Sequence, residues 1–431
     1  MRCLFISVLA CLLLCFFGQS CCLAAESVIV EGSGSYSSIQ SALDAAVPGS
    51  TILVYSGTYN EDLHVDKRVT LKGVDNGGGM PVIYGSGAGD VITITADGVR
   101  IEGFVVKNSE KYASAILVES SDNEIVGNTI TECNEGIRLD QGDRNLVRGN
   151  TLVGNNGDGI YIHYSDGNTI TDNRAKNNEF GIQGYNLRNN VISDNHCEGN
   201  TGIDMYFEQI SNSVISNNRI EGNEESSRSG GDGIGMRYGS NVTIRDNYVG
   251  KHYYGIKVYY SDTTTVSNNT VENSGVNIRF DFGTHDSVIS NNTVRNGVDN
   301  ILVAGESSNI FIEYNLVSNG KDSIYLFGSG DNIIRHNNVY DSTYGIRLYK
   351  STDNLIIQNY LHDNEYDIYP SGTGSTVRDN DRRANYYGEE PKVSPTPTST
   401  VDASAVPSPR PGEDEDFFSW LWRIISSLLS L

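Results

Sequence analysis

Side chains with chemical potential recur in this chain at a spacing of about twenty-two residues. One series reads Arg138, Tyr161, Gln183, Asp204, Gly235, Lys257, Arg279, Leu302, Tyr325, Arg347. A second, two residues further on, reads Asp140, His163, Tyr185, Tyr206, Arg237, Tyr259, Asp281, Ala304, Phe327, Tyr349. Tyrosine rings cover the flat faces of sugars, and guanidinium, ammonium and carboxylate groups bond hydroxyls or uronate carboxylates. Such a mixture suits a long polar polymer; the plainer reading is that large residues shield a flat sheet. The candidate site is Asp204, Tyr206, Arg237, Lys257, Tyr259, Arg279 and Asp281, with Asp140, His163 and Tyr185 as further substrate contacts.

Two kinds of reaction can be weighed on these residues. Glycoside hydrolysis wants two carboxyl groups about 5–9.5 Å apart. Asp204 and Asp281 are expected three coils apart, about 14 Å at one strand spacing per coil, which disfavours it. A base beside cations fits better. Lys257 or Tyr206 would take a proton next to a uronate carboxylate while Arg279 or Arg237 neutralises the charge, as in a lyase or an epimerase. The catalytic set would then be Lys257, Arg279 and Tyr206. No assembled catalytic motif accompanies them, so binding without turnover stays ahead.

What must position these residues is a repeat. Phrases such as Ile170-Thr171-Asp172-Asn173, Ile215-Ser216-Asn217-Asn218 and Ile289-Ser290-Asn291-Asn292 end on an anchoring Asn. The anchors are Asn128, Asn150, Asn173, Asn195, Asn218, Asn247, Asn269, Asn292, Asn315, Asn337, Asn359 and Asn380, each with Ile or Val three residues before it. The steps are 21 to 23 residues except one of 29, from Asn218 to Asn247. A fixed period of this size is the mark of a solenoid. Within one period, apolar residues alternate in short bursts broken by Asn, Gly, Asp or Ser, which is strand spacing. Three short strands per coil predict an all-β parallel β-helix of a dozen coils or more. The anchors are assigned a structural role: Asn tolerates the left-handed backbone of a bend, and stacked amides bond one another. Glycines such as Gly136, Gly233 and Gly255 mark tight turns. The long step places extra residues around Glu224–Gly231 beside Asp204, Tyr206 and Arg237, and long loops on regular scaffolds carry function.

The remaining segments frame this domain. Residues 1–25 read as a secretory signal: Arg2, an apolar run from Leu4 to Phe17, then Ala24-Ala25. Five of the seven cysteines fall there; Cys133 and Cys197 remain, too far apart for a disulfide. Ser37 or Ser38 caps a short helix bearing Ile39, Ala42, Leu43 and Ala46, a cover for the solenoid's first coil. The domain extends over 26–385. Residues 386–416 hold six of the nine prolines among Ser, Thr and acidic residues and read as a disordered linker. Phe417–Leu431 reads as an amphipathic helix, too short to span a bilayer, that lies on a membrane or docks back on the open end of the solenoid.

The opening phrases Ile39-Gln40-Ser41-Ala42-Leu43, Gly49-Ser50-Thr51-Ile52, Gly57-Thr58-Tyr59-Asn60-Glu61 and Val69-Thr70-Leu71-Lys72-Gly73, together with the Asn-anchored repeats, resemble the right-handed parallel β-helix repeat family. That family has the pectin-lyase-like fold and includes carbohydrate-binding proteins, sugar hydrolases and NosD-type periplasmic proteins. The resemblance covers about residues 28–385. It implies a right-handed coil and leaves function open among lyases, hydrolases, epimerases, esterases and non-enzymes.

A formal net charge of −23 argues against nucleic acid and anionic membranes as partners and suits a secreted or cell-surface protein. Such a charge also suits a cation such as calcium, though no resident cofactor or metal is read from the residues. Copper sites want His, Met and Cys. The histidines, at 64, 163, 196, 252, 285, 336 and 362, form no cluster in the sequence, so the copper reading suggested by NosD is disfavoured. Expectation therefore centres on a monomeric protein that grips, and in the alternative processes, an acidic polysaccharide or envelope glycan. A passive surface spacer or adhesin is the remaining class.

Overall fold

In the computed structural model of the chain, residues 28–223 and 231–380 are described. The expected signal segment, the linker, the C-terminal amphipathic segment and most of the Glu224–Gly231 insertion lie outside them. The chain divides into two compact units, one ending at Asn200 and one beginning at Thr201. In both, short strands follow one another through three parallel sheets, one strand per sheet per coil.

In the first unit, Val28–Val30 pairs antiparallel with Gly34–Tyr36 and with Thr51–Tyr55. The helix Ile39–Ala45 follows, N-capped by Ser38, whose hydroxyl accepts from the Ser41 amide. The Glu61 carboxylate accepts the amides of Ile39 and Gln40, each at 2.9 Å, so the free N–H groups of the first turn are satisfied from the first coil. Ile39, Ala42 and Leu43 are buried beneath it. From Thr51–Tyr55 onward the pairing is parallel, as in Glu124–Val126 on Leu146–Arg148 and that on Thr169–Thr171.

The second unit repeats this arrangement. Its third sheet stacks Met205–Ser211, Asp232–Arg237, Tyr254–Tyr259, Val276–Asp281, Asp299–Ala304, Asp322–Phe327 and Tyr344–Tyr349. Alternate residues of each strand fill the interior: Ile234 and Met236, Ile256 and Val258, Ile278 and Phe280 are all fully buried. Each such side chain contributes about 1.5–3 kcal/mol relative to exposure.

Stacked asparagines join the coils. The side-chain amide of Asn269 donates to Asn292 Oδ1 at 3.0 Å and to the Ile244 carbonyl at 2.9 Å. Asn292 repeats this towards Asn315 and Val266. The 29-residue step leaves the ladder undisturbed: Asn218 reaches Asn247 at 3.0 Å, the same length as Asn247 to Asn269.

One expectation about the ladder is corrected. The anchors do not take the left-handed conformation; the residue before each does, as in Asp172 (φ 56°), Asn217 (55°), Asn268 (57°) and Asn291 (56°). The bend is made one residue early so that the anchor's amide can turn into the coil and meet its neighbours. Cys133 and Cys197 are both buried, and neither forms a disulfide among the described residues.

Candidate functional site

Along the third sheet of the second unit, alternation sends out the residues between the buried pairs. The register sets Tyr206, Gly235, Lys257, Arg279, Leu302, Tyr325 and Arg347 side by side in consecutive coils. Next to it, Glu208, Arg237, Tyr259 and Asp281 form a second column. Lys257, Arg279, Arg237, Tyr259 and Asp281 thus hold the relative places expected of them.

Tyr206 and Asp204 do not. The sequence reading paired Asp204 with Gly235 and Tyr206 with Arg237; the strand is shifted by two residues. Its interior pair is Met205 and Phe207, both fully buried, not Ile203 and Met205. Phe207 fills the coil better than Ile203, which is only partly buried. Tyr206 therefore lies beside Gly235, where it is almost wholly buried. Asp204 leaves that face altogether. It is buried at the corner before the strand, where its Oδ2 lies 2.8 Å from His252 Nε2.

The shift also supplies Glu208, which sequence reasoning missed. Tyr206 donates its hydroxyl hydrogen to Glu208 Oε2 at 2.9 Å, and the Tyr206 and Tyr259 hydroxyls are 3.4 Å apart. Burial, together with Tyr259 and Glu208, pushes the Tyr206 phenol far up, and burial pushes Tyr259 up to about 12. Neither is prepared to act as a base near neutral pH.

A third outward column was also missed. Asp232, Tyr254, Val276, Asp299, Asp322 and Tyr344 pair in register one position before the corner residues Gly233, Gly255, Asn277, Asn300, Ser323 and Gly345. Simple alternation would point these side chains inward. The corner breaks it, because the corner residue itself faces the interior: a Cβ on Gly233 would lie 2.4 Å from Val249 Cγ1.

The columns interlock. Arg279 donates to Asp281 through Nε at 2.8 Å and through Nη2, and its Nη1 donates to the Tyr254 hydroxyl at 2.6 Å. Arg347 Nη1 lies 3.1 Å from Asp322 Oδ2. The Lys257 ammonium sits 4.6 Å from the Tyr254 ring centroid and 4.9 Å from that of Tyr259. Among the described residues, no carboxylate oxygen lies within 4.0 Å of it. Beside Lys257, Asp232 and Tyr206 close over the buried Gly235: a Cβ there would stand 2.9 Å from Asp232 Oδ2 and 3.1 Å from Tyr206 Cδ2. Burial holds the Asp232 carboxyl above its usual range, although Lys257, His252 and Arg279 pull the other way. Asp299 is pushed up to about 7 by burial and by Asp322, and the two carboxyl groups hydrogen-bond.

In the first unit, Asp140, His163 and Tyr185 lie side by side in register. Asp140 Oδ1 is 3.2 Å from His163 Nδ1, and its Oδ2 accepts from Arg138 at 2.8 Å. Burial would raise the Asp140 carboxyl, but these two partners hold it below its usual range. Tyr161 stacks on His163 at 5.8 Å, and Gln183 donates to the Tyr185 hydroxyl at 3.0 Å. This group is saturated by its own contacts. No group of three or more His, Cys, Asp or Glu side chains converges as metal ligands among the described residues.

Comparison with known proteins agrees with this geometry. Residues 114–271 match the family described as right handed beta helix region, and residues 209–390 match the family described as periplasmic copper-binding protein (NosD). Among solved structures, the A-module of mannuronan C-5 epimerase AlgE4 from Azotobacter vinelandii superposes with a TM-score of 0.52 at 18% identity, over 79% of this chain and 94% of that one. The A-module of AlgE6 from the same organism gives 0.50 at 17% identity, over 79% and 94%. A DFA-IIIase from Arthrobacter chlorophenolicus A6 without its lid, in complex with GF2, gives 0.50 at 11% identity, over 79% and 95%. At these identities the likeness is one of fold. No curated protein matched the sequence.

Proposed function

The chain belongs to the right-handed β-helix repeat proteins, and from that premise we propose that it binds an acidic polysaccharide outside the cytoplasm, with Lys257 receiving a uronate carboxylate. The observation that carries this reading is the charge balance of the outer face. Arg279 is engaged by Asp281 and Arg347 by Asp322, whereas Lys257 stands between two tyrosine rings with no carboxylate within ion-pair distance among the described residues. An ammonium held on ring faces with no ion pair within 4.0 Å among the described residues is suited to an incoming anion. The half-buried Tyr259 ring beside Lys257 offers a sugar an apolar surface. The periplasmic description of one matched family favours the extracytoplasmic setting.

Isothermal titration with polygalacturonate or alginate tests the reading. Lys257→Ala is expected to weaken binding at least about tenfold, the worth of one charge-assisted contact. Carboxyl-reduced polymer is expected not to bind. Equal binding by wild type and Lys257→Ala would overturn the assignment.

A second reading, lyase or C5-epimerase, is favoured by one feature: Asp232, a buried carboxyl inclined to hold a proton, beside Lys257. In this reading Lys257 neutralises the uronate and the ionised Asp232 takes the C5 proton; the electron pair left behind either expels the C4 oxygen, which leaves with a proton as the lyase product forms, or accepts a proton from solvent on the opposite face to give the epimer. Tyr206 drops out as a base, and Arg279 serves to hold Tyr254. The named similarity to mannuronan C-5 epimerases is in keeping with it. Formation of unsaturated product, or deuterium uptake from heavy water, tests for turnover; neither occurring on any polyuronate would leave binding alone.

A further inference from the structure

Three aromatic residues stand where backbone geometry least favours them. In five consecutive coils the residue that closes the third-sheet strand is left-handed; in two of them it is glycine, Gly305 (φ 61°) and Gly328 (φ 60°). In three consecutive coils it is Tyr238 (φ 53°), Tyr260 (φ 51°) and Phe282 (φ 50°). Bulky side chains are disfavoured in that region, and such outliers gather at ligand-binding sites. Nor does burial compensate: Tyr238 and Tyr260 remain 42% and 44% exposed. The rings form a ladder, Tyr238 to Tyr260 at 5.4 Å and Tyr260 to Phe282 at 5.3 Å.

The ladder walls an open cavity of about 330 Å³. Across from the rings, Ser240, Asp262 and His285 bridge one another in consecutive coils and form the floor. Asp262 Oδ1 is buried there without a hydrogen-bond partner. The Asp262 side chain as a whole is only partly buried and lines the cavity, where its carboxylate suits a hydroxyl or amine donor of the ligand. With Asp262 in its floor, the cavity repels carboxylates and favours hydroxyl or amine donors.

This cavity continues the surface around Lys257. The Arg237 guanidinium lies 4.6 Å from the Tyr238 ring, 5.9 Å from Tyr259 and 5.5 Å from Tyr260, and the other side of the surface meets Tyr259 through Lys257 at 4.9 Å. Lys257 and Tyr260 are three residues apart, about 10 Å by the rise of a strand, a span that a disaccharide covers.

We propose that the Tyr238–Tyr260–Phe282 ladder and Asp262 form a subsite for a neutral or amino sugar, next to the uronate bound at Lys257. The preferred polymer then alternates uronate with a sugar that carries no carboxylate. The proposal rests on Lys257 as uronate receptor and adds the identity of the neighbouring unit.

The experiment compares hexasaccharides by isothermal titration on the full chain. Hyaluronan and chondroitin hexasaccharides supply alternating chains; polygalacturonate and polymannuronate hexasaccharides supply uronate alone. An alternating chain is expected to bind about tenfold tighter than either homopolymer, the scale of one aromatic contact. Tyr260→Asn is expected to remove that advantage and to leave homopolymer binding unchanged. Asn accepts the left-handed backbone, so this variant keeps the fold, which a thermal melt verifies. Lys257→Ala is expected to weaken both classes. Equal affinity for the two classes, or equal loss of both in Tyr260→Asn, overturns the subsite while Lys257 keeps its role. Unchanged binding in Lys257→Ala, or no binding of any hexasaccharide, overturns the uronate receptor and the subsite with it.

Discussion

Nε2 of His252 lies 2.8 Å from Oδ2 of Asp204, with both side chains almost wholly buried. Two glycines make room for the imidazole: a Cβ on Gly222 would stand 2.9 Å from its Nε2, and one on Gly233 would stand 3.1 Å from its Nδ1. Leaving a buried polar group without its hydrogen-bond partner costs about 1–3 kcal/mol. His252→Ala is therefore expected to lower the unfolding free energy by at least about that amount in urea titration. A loss within the noise of a surface substitution would show that the pair does not hold this corner.

Neighbouring asparagines are expected to respond in opposite directions. Asn292 donates to Asn315 Oδ1 and to the Val266 carbonyl, and its own Oδ1 accepts from the backbone and side chain of Asn269 at 2.9 and 3.0 Å. Asn292→Ala should cost about 2–4 kcal/mol, several buried hydrogen bonds at about 1 kcal/mol each. Asn291, one residue earlier, is left-handed (φ 56°), and Asn291→Gly should be neutral within about 1 kcal/mol. Thermal melts of the two variants check the contrast; equal losses would contradict the division of labour between bend and ladder.

Asp299 ties stability to pH. Its folded carboxyl is pushed up to about 7 from an ordinary value of 3.8, so between those values the folded state binds a proton that the unfolded state releases. Stability from this group is full below about pH 4 and is lost as pH rises towards 7, at up to about 1.4 kcal/mol per pH unit. Asp299→Asn mimics the protonated form. The variant should gain on wild type as pH rises through that window and hold the gain above it. Parallel stability curves across the window would refute the assignment.

The close packing beside Lys257 can be tested directly. Gly235→Ala would press a methyl group against Asp232 Oδ2 and the Tyr206 ring. Both neighbours are buried, so the variant is expected to lose about 1–3 kcal/mol of stability, read as a lowered melting temperature. An unchanged melting temperature would mean that the two side chains yield freely.

The winding of the chain was legible in its sequence because the ladder is a repeated local demand. Each anchor must meet an identical amide in the next coil, so Asn269, Asn292 and Asn315 recur at one spacing, and the insertion after Asn218 leaves the ladder intact. Alternation within a strand then placed Lys257, Tyr259, Arg279 and Asp281 outward without any coordinates. Local pattern could not decide what packing decides. Whether Ile203 or Phe207 fills the interior is a question of volume, and its answer moved Tyr206 one column and turned Asp204 inward. The acids Asp232, Asp299 and Asp322 were hidden because a corner breaks the alternation on which the reading relied. The pairing of Asp204 with His252 joins residues 48 apart, a separation outside the 21–23-residue repeat, and only three-dimensional packing brings them together.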